Sequence, residues 1–178
     1  MKLVNSRNVY SGKKFSVRVD TYESSGSEYR VEIIEHKGAV VILPITDEGK
    51  IVFVKQYRYP IRKELIELPA GTLSKGESPL RCAARELEEE TGYSTSNFTL
   101  LGILYPSPGY SSEILYVYLA KDLQLRGQKP EVYERITSVM ELYPEEVMSF
   151  IRDGKINDAK TLATLLLFLV KKGRVFRF

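Results

Sequence analysis

The sequence predicts one domain in which strands dominate and helices are interspersed, of the α/β or α+β class, and three observations lead there. Short segments either alternate apolar and polar residues or run wholly apolar between turn signals. Three longer segments carry the start and stop residues of helices. The 178 residues suit one domain with a small added element rather than a second large core.

In chain order, Phe15 to Tyr22 sets Phe15, Val17 and Val19 against Ser16, Arg18 and Asp20, and Tyr29 to Ile34 partly repeats the pattern. Ser24-Ser25-Gly26-Ser27 reads as the turn between them, so the segment is a hairpin. Val40 to Leu43 and Ile51 to Val54 are apolar runs split by the turn Thr46-Asp47-Glu48-Gly49. Further strands are expected at Phe98 to Tyr105, Ile114 to Ala120 and Ile136 to Leu142. A first helix opens on Ser78 as N-cap with Pro79 in the first helical position and stops at Gly92. A second runs from Pro144 to about Arg152 before Gly154, and a third from near Asp158 to Lys172 before Gly173. A break near Glu35 to Gly38 divides the expected hairpin region, 1–38, from the main domain, 39–178.

Composition removes several function classes. Twenty-six basic and 23 acidic residues give a net charge of +3, too balanced for the concentrated basic stripe of a nucleic-acid binder. Cys82 is the single cysteine, so no internal disulfide is possible, and His36 is the single histidine, which excludes multi-histidine zinc sites within one chain. The N-terminal residues have no apolar signal-peptide core, and the run Leu165 to Val170 is well short of the ~18 residues of a membrane span. A cytoplasmic protein is the expectation.

The chemistry lies between Gly71 and Tyr93. At 100° per residue Leu80, Ala83, Ala84 and Leu87 share one face, which is expected to be buried, with Cys82 half-buried beside it. Glu86 and Glu90 stand four residues apart along one edge of that face. Arg85 is placed to pair with Glu89, and Glu88 points to solvent. Carboxylates at a helix C-terminus oppose the helix dipole by a few tenths to ~1 kcal/mol each, and Glu86 and Glu90 also repel one another. A divalent cation reverses both effects, and hard cations such as Mg²⁺ prefer such oxygen ligands. A solvated acidic face would account for the glutamates alone, but the glycine-flanked loop Gly71 to Gly76 and the apolar stripe hold them in a fixed frame.

The segment resembles the Nudix box, G-x5-E-x7-R-E-U-x-E-E-x-G-U, where U is aliphatic. Gly71, Glu77, Arg85, Glu86, Leu87, Glu89, Glu90 and Gly92 fall on it without a gap, and Tyr93 departs from its aliphatic ending. Glu67-Leu68-Pro69-Ala70, Gln56-Tyr57-Arg58, Glu35 to Val40 and Ser107-Pro108-Gly109 with Glu113 are similar to the ADP-ribose pyrophosphatase-like branch. The likeness runs from about Arg30 to Leu169. It implies a Nudix α/β/α sandwich, a mixed sheet between helices, with the N-terminal antiparallel hairpin attached.

The same resemblance implies roles. Glu86, Glu89, Glu90 and the Ala70 carbonyl would hold two or three Mg²⁺ ions, with Mn²⁺ an alternative, and Gly71, Glu77 and Arg85 would orient them from behind. Arg58 would meet the phosphates or the terminal ribose, with Glu113 and the Pro108 loop on the substrate and Arg30 reaching a partner's substrate across a homodimer. The proton acceptor is expected at Glu134, with Glu131 second and Glu89 after it. His36 reads as a packed turn residue. The implied reaction is hydrolysis of a nucleoside diphosphate sugar, ADP-ribose first, to AMP and ribose 5-phosphate. GDP-mannose, NADH or a dinucleoside polyphosphate remain alternative substrates, and a non-catalytic nucleotide-binding module is the rival of a different class.

Overall fold

In the computed structural model, which describes residues 1–127 and 135–173, twelve strands and three helices follow one another along the chain. They are β1 (Lys2–Ser11), β2 (Phe15–Ser24), β3 (Ser27–His36), β4 (Ala39–Pro44), β5 (Ile51–Arg58), β6 (Lys63–Glu67), β7 (Ala70–Thr72), α1 (Pro79–Thr91), β8 (Tyr93–Ser94), β9 (Asn97–Leu104), β10 (Leu115–Lys121), β11 (Gln124–Leu125), β12 (Ile136–Leu142), α2 (Pro144–Arg152) and α3 (Ala159–Lys171).

β4 explains the layering. All six of its residues are buried, as expected of a strand covered on both faces. Val41 and Leu43 pack with Phe53 of β5, Val147 of α2 and Leu165 of α3. Val40 and Ile42 point the other way, onto Cys82, Ala83 and Leu87 of α1. Alternation along one strand therefore places α1 on one side of the sheet and α2 and α3 on the other. The sheet is mixed: β4 runs parallel to β10 and antiparallel to β7, in the order β7-β4-β10-β9. A second sheet, β12-β5-β6, is wholly antiparallel. The expected α/β/α sandwich is therefore found.

The N-terminal region is larger than a hairpin. β2 and β3 pair in one unbroken register and turn at Ser25 and Gly26, both at positive φ (52° and 79°), the combination of a tight primed turn. β1 adds a third strand against β2. Its ten residues are all exposed, so neither face imposes an apolar period on the sequence, and the strand left no signal there.

The first helix is rotated relative to the expected face. Its buried residues are Cys82, Ala83, Glu86, Leu87, Glu90 and Thr91, while Leu80 is 48% exposed. Cys82 is fully buried rather than half-buried. Glu88, expected in solvent, is half-buried. An apolar count places the stripe over Leu80. The structure turns it toward Glu86 and Glu90 because these carboxylates pack under the backbone of β7.

Caps fix the helix ends. The Ser78 hydroxyl accepts from Arg81 N–H, and Gly92, at φ 77°, closes α1 by donating to Glu88 O. Asp158 caps α3 by accepting from Thr161 N–H. Among the described residues no helix is long and apolar enough to cross a membrane.

Candidate active site

The loop ahead of α1 is fastened to β4 before any side chain acts. Pro69 O accepts from Ile42 N–H, Gly38 O accepts from Leu73 N–H, and Gly71 sits opposite Val40 in the β4–β7 pair. The Ala70 N–H donates to Glu90 Oε2 at 3.0 Å, a charge-assisted bond that joins the loop to the last turn of the helix. Glu86 is 4% and Glu90 1% exposed. Gly71 has no room for a side chain: a Cβ there would lie 1.9 Å from Cδ and Oε1 of Glu86.

Arg85 binds the helix to the loop from outside. Its Nε and one terminal nitrogen donate to the two oxygens of Glu77, at 2.9 and 3.0 Å, while the other terminal nitrogen donates to Glu86 Oε1 and Glu89 Oε2, both at 2.8 Å. Glu77 also accepts from Ser74 N–H, which folds the loop back on itself. Hydrogen bonding by Arg85 holds the Glu77 carboxyl down at about 2 despite its partial burial, so it stays ionised at any working pH. The Arg85 guanidinium is pushed up in turn, first by Glu77 and then by the charge of Glu86. Burial, with the Glu86 charge behind it, raises the Cys82 thiol to about 12, which leaves it inert as a nucleophile.

A second cluster lies beside the first, and no local spacing announces it. The Arg58 guanidinium grips Glu67 with two bonds, Nε to Oε1 at 2.8 Å and a terminal nitrogen to Oε2 at 2.5 Å. Lys160, from the first turn of α3, donates to the same Oε2 and lies 3.0 Å from Asp158 Oδ1. Thr161 Oγ1 accepts from Leu68 N–H at 2.9 Å and donates to Asp158 at 2.7 Å. The start of α3 thereby clamps residues 67 and 68, which lead directly into Ala70. Glu67 is paired with Lys160, 93 residues away, which no sequence pattern reveals.

The other predicted residues are spread around this frame. Pro108 is exposed in a turn where Ser107 O accepts from Tyr110 and Ser111 N–H. That turn docks on the end of β3 through Ile34 N–H to Tyr110 O and Ser112 N–H to Ile34 O. Glu113 Oε1 stands 3.7 Å from His36 Nδ1, which accepts from Gly38 N–H at 3.2 Å. Arg30 lies on β3, exposed, and lines a shallow cavity of about 230 Å³ with Asn5, Arg7, Val19 and Thr21; none of its described contacts reaches the carboxylates. Glu131 and Glu134 fall outside the described residues. Tyr93 does more than pack: its hydroxyl donates to Glu141 of β12, which raises the phenol to about 12.

The donor chemistry suits a hard divalent cation: buried carboxylate oxygens, and a backbone approach at Gly71 that only a missing Cβ permits. As the side chains stand, no three His, Cys, Asp or Glu residues among those described form a metal-holding group. Arg85 occupies oxygens of Glu86 and Glu89, and the Ala70 amide occupies one of Glu90, so a cation would compete with these donors.

Comparison with known proteins decides the family. Residues 35–165 match the NUDIX domain, close to three quarters of the chain. The protein belongs to the Nudix family. Members generally depend on a divalent metal. This Nudix chain is 39% identical over 174 residues to a protein named ADP-ribose pyrophosphatase from Bacillus subtilis (strain 168), covering 97% of this chain and 94% of that one. It is also 39% identical over 163 residues to the methanol dehydrogenase activator of Bacillus methanolicus, covering 90% and 88% of the two chains. A crystal structure described as an ADP compounds hydrolase superposes with a TM-score of 0.82 at 26% identity, over 98% of both chains.

Proposed function

We propose that the protein hydrolyses the diphosphate of a nucleoside diphosphate sugar in a Mg²⁺-dependent reaction, with ADP-ribose and water giving AMP and ribose 5-phosphate. The observation that carries this reading is the closure of Ala70 and Gly71 over Glu86 and Glu90, with Arg85 and Glu77 locking the loop to the helix. The similarity to a protein named ADP-ribose pyrophosphatase and to an ADP compounds hydrolase supports the choice of substrate.

In this reading Glu86, Glu89, Glu90 and the Ala70 carbonyl hold the cations, two or three of Mg²⁺ with Mn²⁺ as a substitute. Gly71, Glu77 and Arg85 keep those oxygens in place. A divalent cation, when bound, supplies positive charge against the diphosphate and acidifies water. Arg58 neutralises a diphosphate oxygen, and Glu113 with the turn at Pro108 borders the substrate. Glu134 accepts the proton of the attacking water, with Glu131 the second candidate and Glu89 the third. A carboxylate engaged by a cation is a poor base, which puts Glu89 last.

The test is a turnover screen. ADP-ribose, GDP-mannose, NADH and a dinucleoside polyphosphate are incubated with Mg²⁺ and, in parallel, with EDTA. ADP-ribose is expected to be consumed fastest, to AMP, and only with metal. Tight binding without product in any arm would instead favour the silent binding module. Glu134→Gln run beside Glu131→Gln identifies the base, which loses kcat by ~10²-fold or more while substrate still binds.

The assembly proposed is a two-fold homodimer built on residues 1–38, with residues 39–178 as the hydrolase unit. In one protomer β1 is exposed along its whole length, and Leu3, Val4, Val9, Tyr10, Tyr29 and Val31 expose apolar surface on the three-stranded sheet. A sheet this size, with so few buried side chains, needs a partner surface. Such a dimer would put Arg30 near the partner's substrate. Light scattering at micromolar concentration is expected to give about twice the 20.3 kDa of one chain; a value near one chain's mass contradicts the assembly. The single buried thiol asks for no oxidising compartment, which fits the cytoplasm.

A further inference from the structure

Glu67 holds more positive charge than a buried carboxylate needs. It is 1% exposed, and both its oxygens are taken by Arg58, yet Lys160 donates to Oε2 as well. The two cations are held differently. The Lys160 side chain is 19% exposed and tied to Asp158, whose other oxygen caps α3 through Thr161. The Arg58 side chain is 35% exposed, sits at the end of β5, and feels the charge of Glu90. If one of the two leaves, it is Arg58. Stripping a buried carboxylate of its only cation strands an unpaired charge and is strongly unfavourable. With Lys160 in place that penalty does not arise.

We infer that Lys160 is a positioning residue: it keeps Glu67 paired when Arg58 turns from Glu67 to an oxygen of the substrate diphosphate. This rests on the role given to Arg58 above. Asp158 balances Lys160, and Glu67 balances Arg58 in the resting arrangement, so the cluster is neutral before substrate arrives. When Arg58 moves, its charge goes to the anionic ligand, and Lys160 stays between Glu67 and Asp158. Burial pulls the Arg58 and Glu67 pKa values toward neutrality, and their mutual hydrogen bonds, with the Lys160 charge on Glu67, more than offset it in both groups. Both partners are therefore charged in the resting arrangement, and Lys160 remains on Glu67 when Arg58 turns away.

Two measurements test this. The first needs no ligand: thermal melts of Arg58→Met, Lys160→Met and the double variant. If each cation stands in for the other at Glu67, either single variant loses about 4 °C or less. The double then loses well over the sum, about 10 °C or more, or does not fold. Losses that simply add overturn the exchange. The second is steady-state kinetics with ADP-ribose and Mg²⁺. Lys160→Met is expected to raise KM about 10-fold with kcat within about 3-fold, and Lys160→Arg to restore KM. A KM unmoved by Lys160→Met or by Arg58→Met, or a loss confined to kcat, overturns it. A wild-type protein that leaves ADP-ribose intact counts against the substrate reading alone, because the melts still decide whether Lys160 backs up Arg58 at Glu67.

Discussion

Glu86→Gln and Glu90→Gln are each expected to lower kcat by about 10²- to 10⁴-fold at saturating Mg²⁺ while the protein stays folded. Both side chains are buried beneath Ala70 and Gly71, so neither is a solvated charge whose removal passes unnoticed. Glutamine keeps the shape and an acceptor oxygen, so in the Glu90→Gln variant the amide still accepts from Ala70 N–H. In the Glu86→Gln variant a weaker, neutral bond to Arg85 remains, and Arg85 keeps its other partners Glu77 and Glu89. Melting temperatures are therefore expected to move by about 4 °C or less, with Glu86→Gln the lower of the two. What glutamine removes is the negative charge that a divalent cation requires. Kinetics at several Mg²⁺ concentrations, with a melt of each variant, separate the two effects. A near-normal rate in either variant removes that residue from the metal site.

The layered fold was legible because its central strand is apolar without interruption and its helices carry their own stops. Val40 to Leu43 reads as an apolar run, which the structure buries on both faces, and Ser78, Pro79 and Gly92 bracket α1 to within a residue. β1 was not legible, since a strand exposed on both faces has no apolar period to read. Nor were β6 and β7, which are short and polar, and whose pairing with β5 and β4 is set by tertiary packing. The helix register slipped at Leu80 for a chemical reason. Counting apolar residues cannot register that two glutamates are buried, and it is their burial that turns the helix.

The same division runs through the candidate site. Arg85 with Glu89 is a pair four residues apart, visible in any helical projection, and the structure forms it. Arg85 with Glu77 and Ala70 with Glu90 span a loop that the motif encodes contiguously. Glu67 with Lys160 joins β6 to α3 across the fold, and neither residue stands out by composition or spacing. Interactions carried on one continuous segment leave a pattern in the sequence, whereas those closed only by packing do not.

Gly71→Ala is expected to abolish most activity without unfolding the protein. Gly71 does not need unusual backbone angles; what it lacks is space. An added Cβ would meet Glu86 Cδ and Oε1 at 1.9 Å and Oε2 at 2.3 Å, where ordinary carbon contacts begin near ~3.5 Å. The loop cannot retreat, because Gly71 is paired with Val40 in the sheet and its neighbour Ala70 is bonded to Glu90. The helix cannot retreat either, because Cys82, Ala83 and Leu87 are fully buried against β4 and β10. The Glu86 carboxylate is the end of a side chain, so it gives way, by roughly 1.5 Å on that contact distance. A displacement of about 1 Å in a catalytic group costs on the order of 10²-fold, and kcat should fall at least that far, with the Mg²⁺ needed for half-maximal rate rising. Gly76→Ala is the control of opposite character. Nothing lies within 4 Å of its added Cβ, but its φ of 79° disfavours alanine. That variant should lose about 1 kcal/mol of stability and keep its kcat. Melts and Mg²⁺ titrations of the two variants side by side decide the matter, and a Gly71→Ala protein with wild-type kcat would show that Glu86 does not act from where it lies.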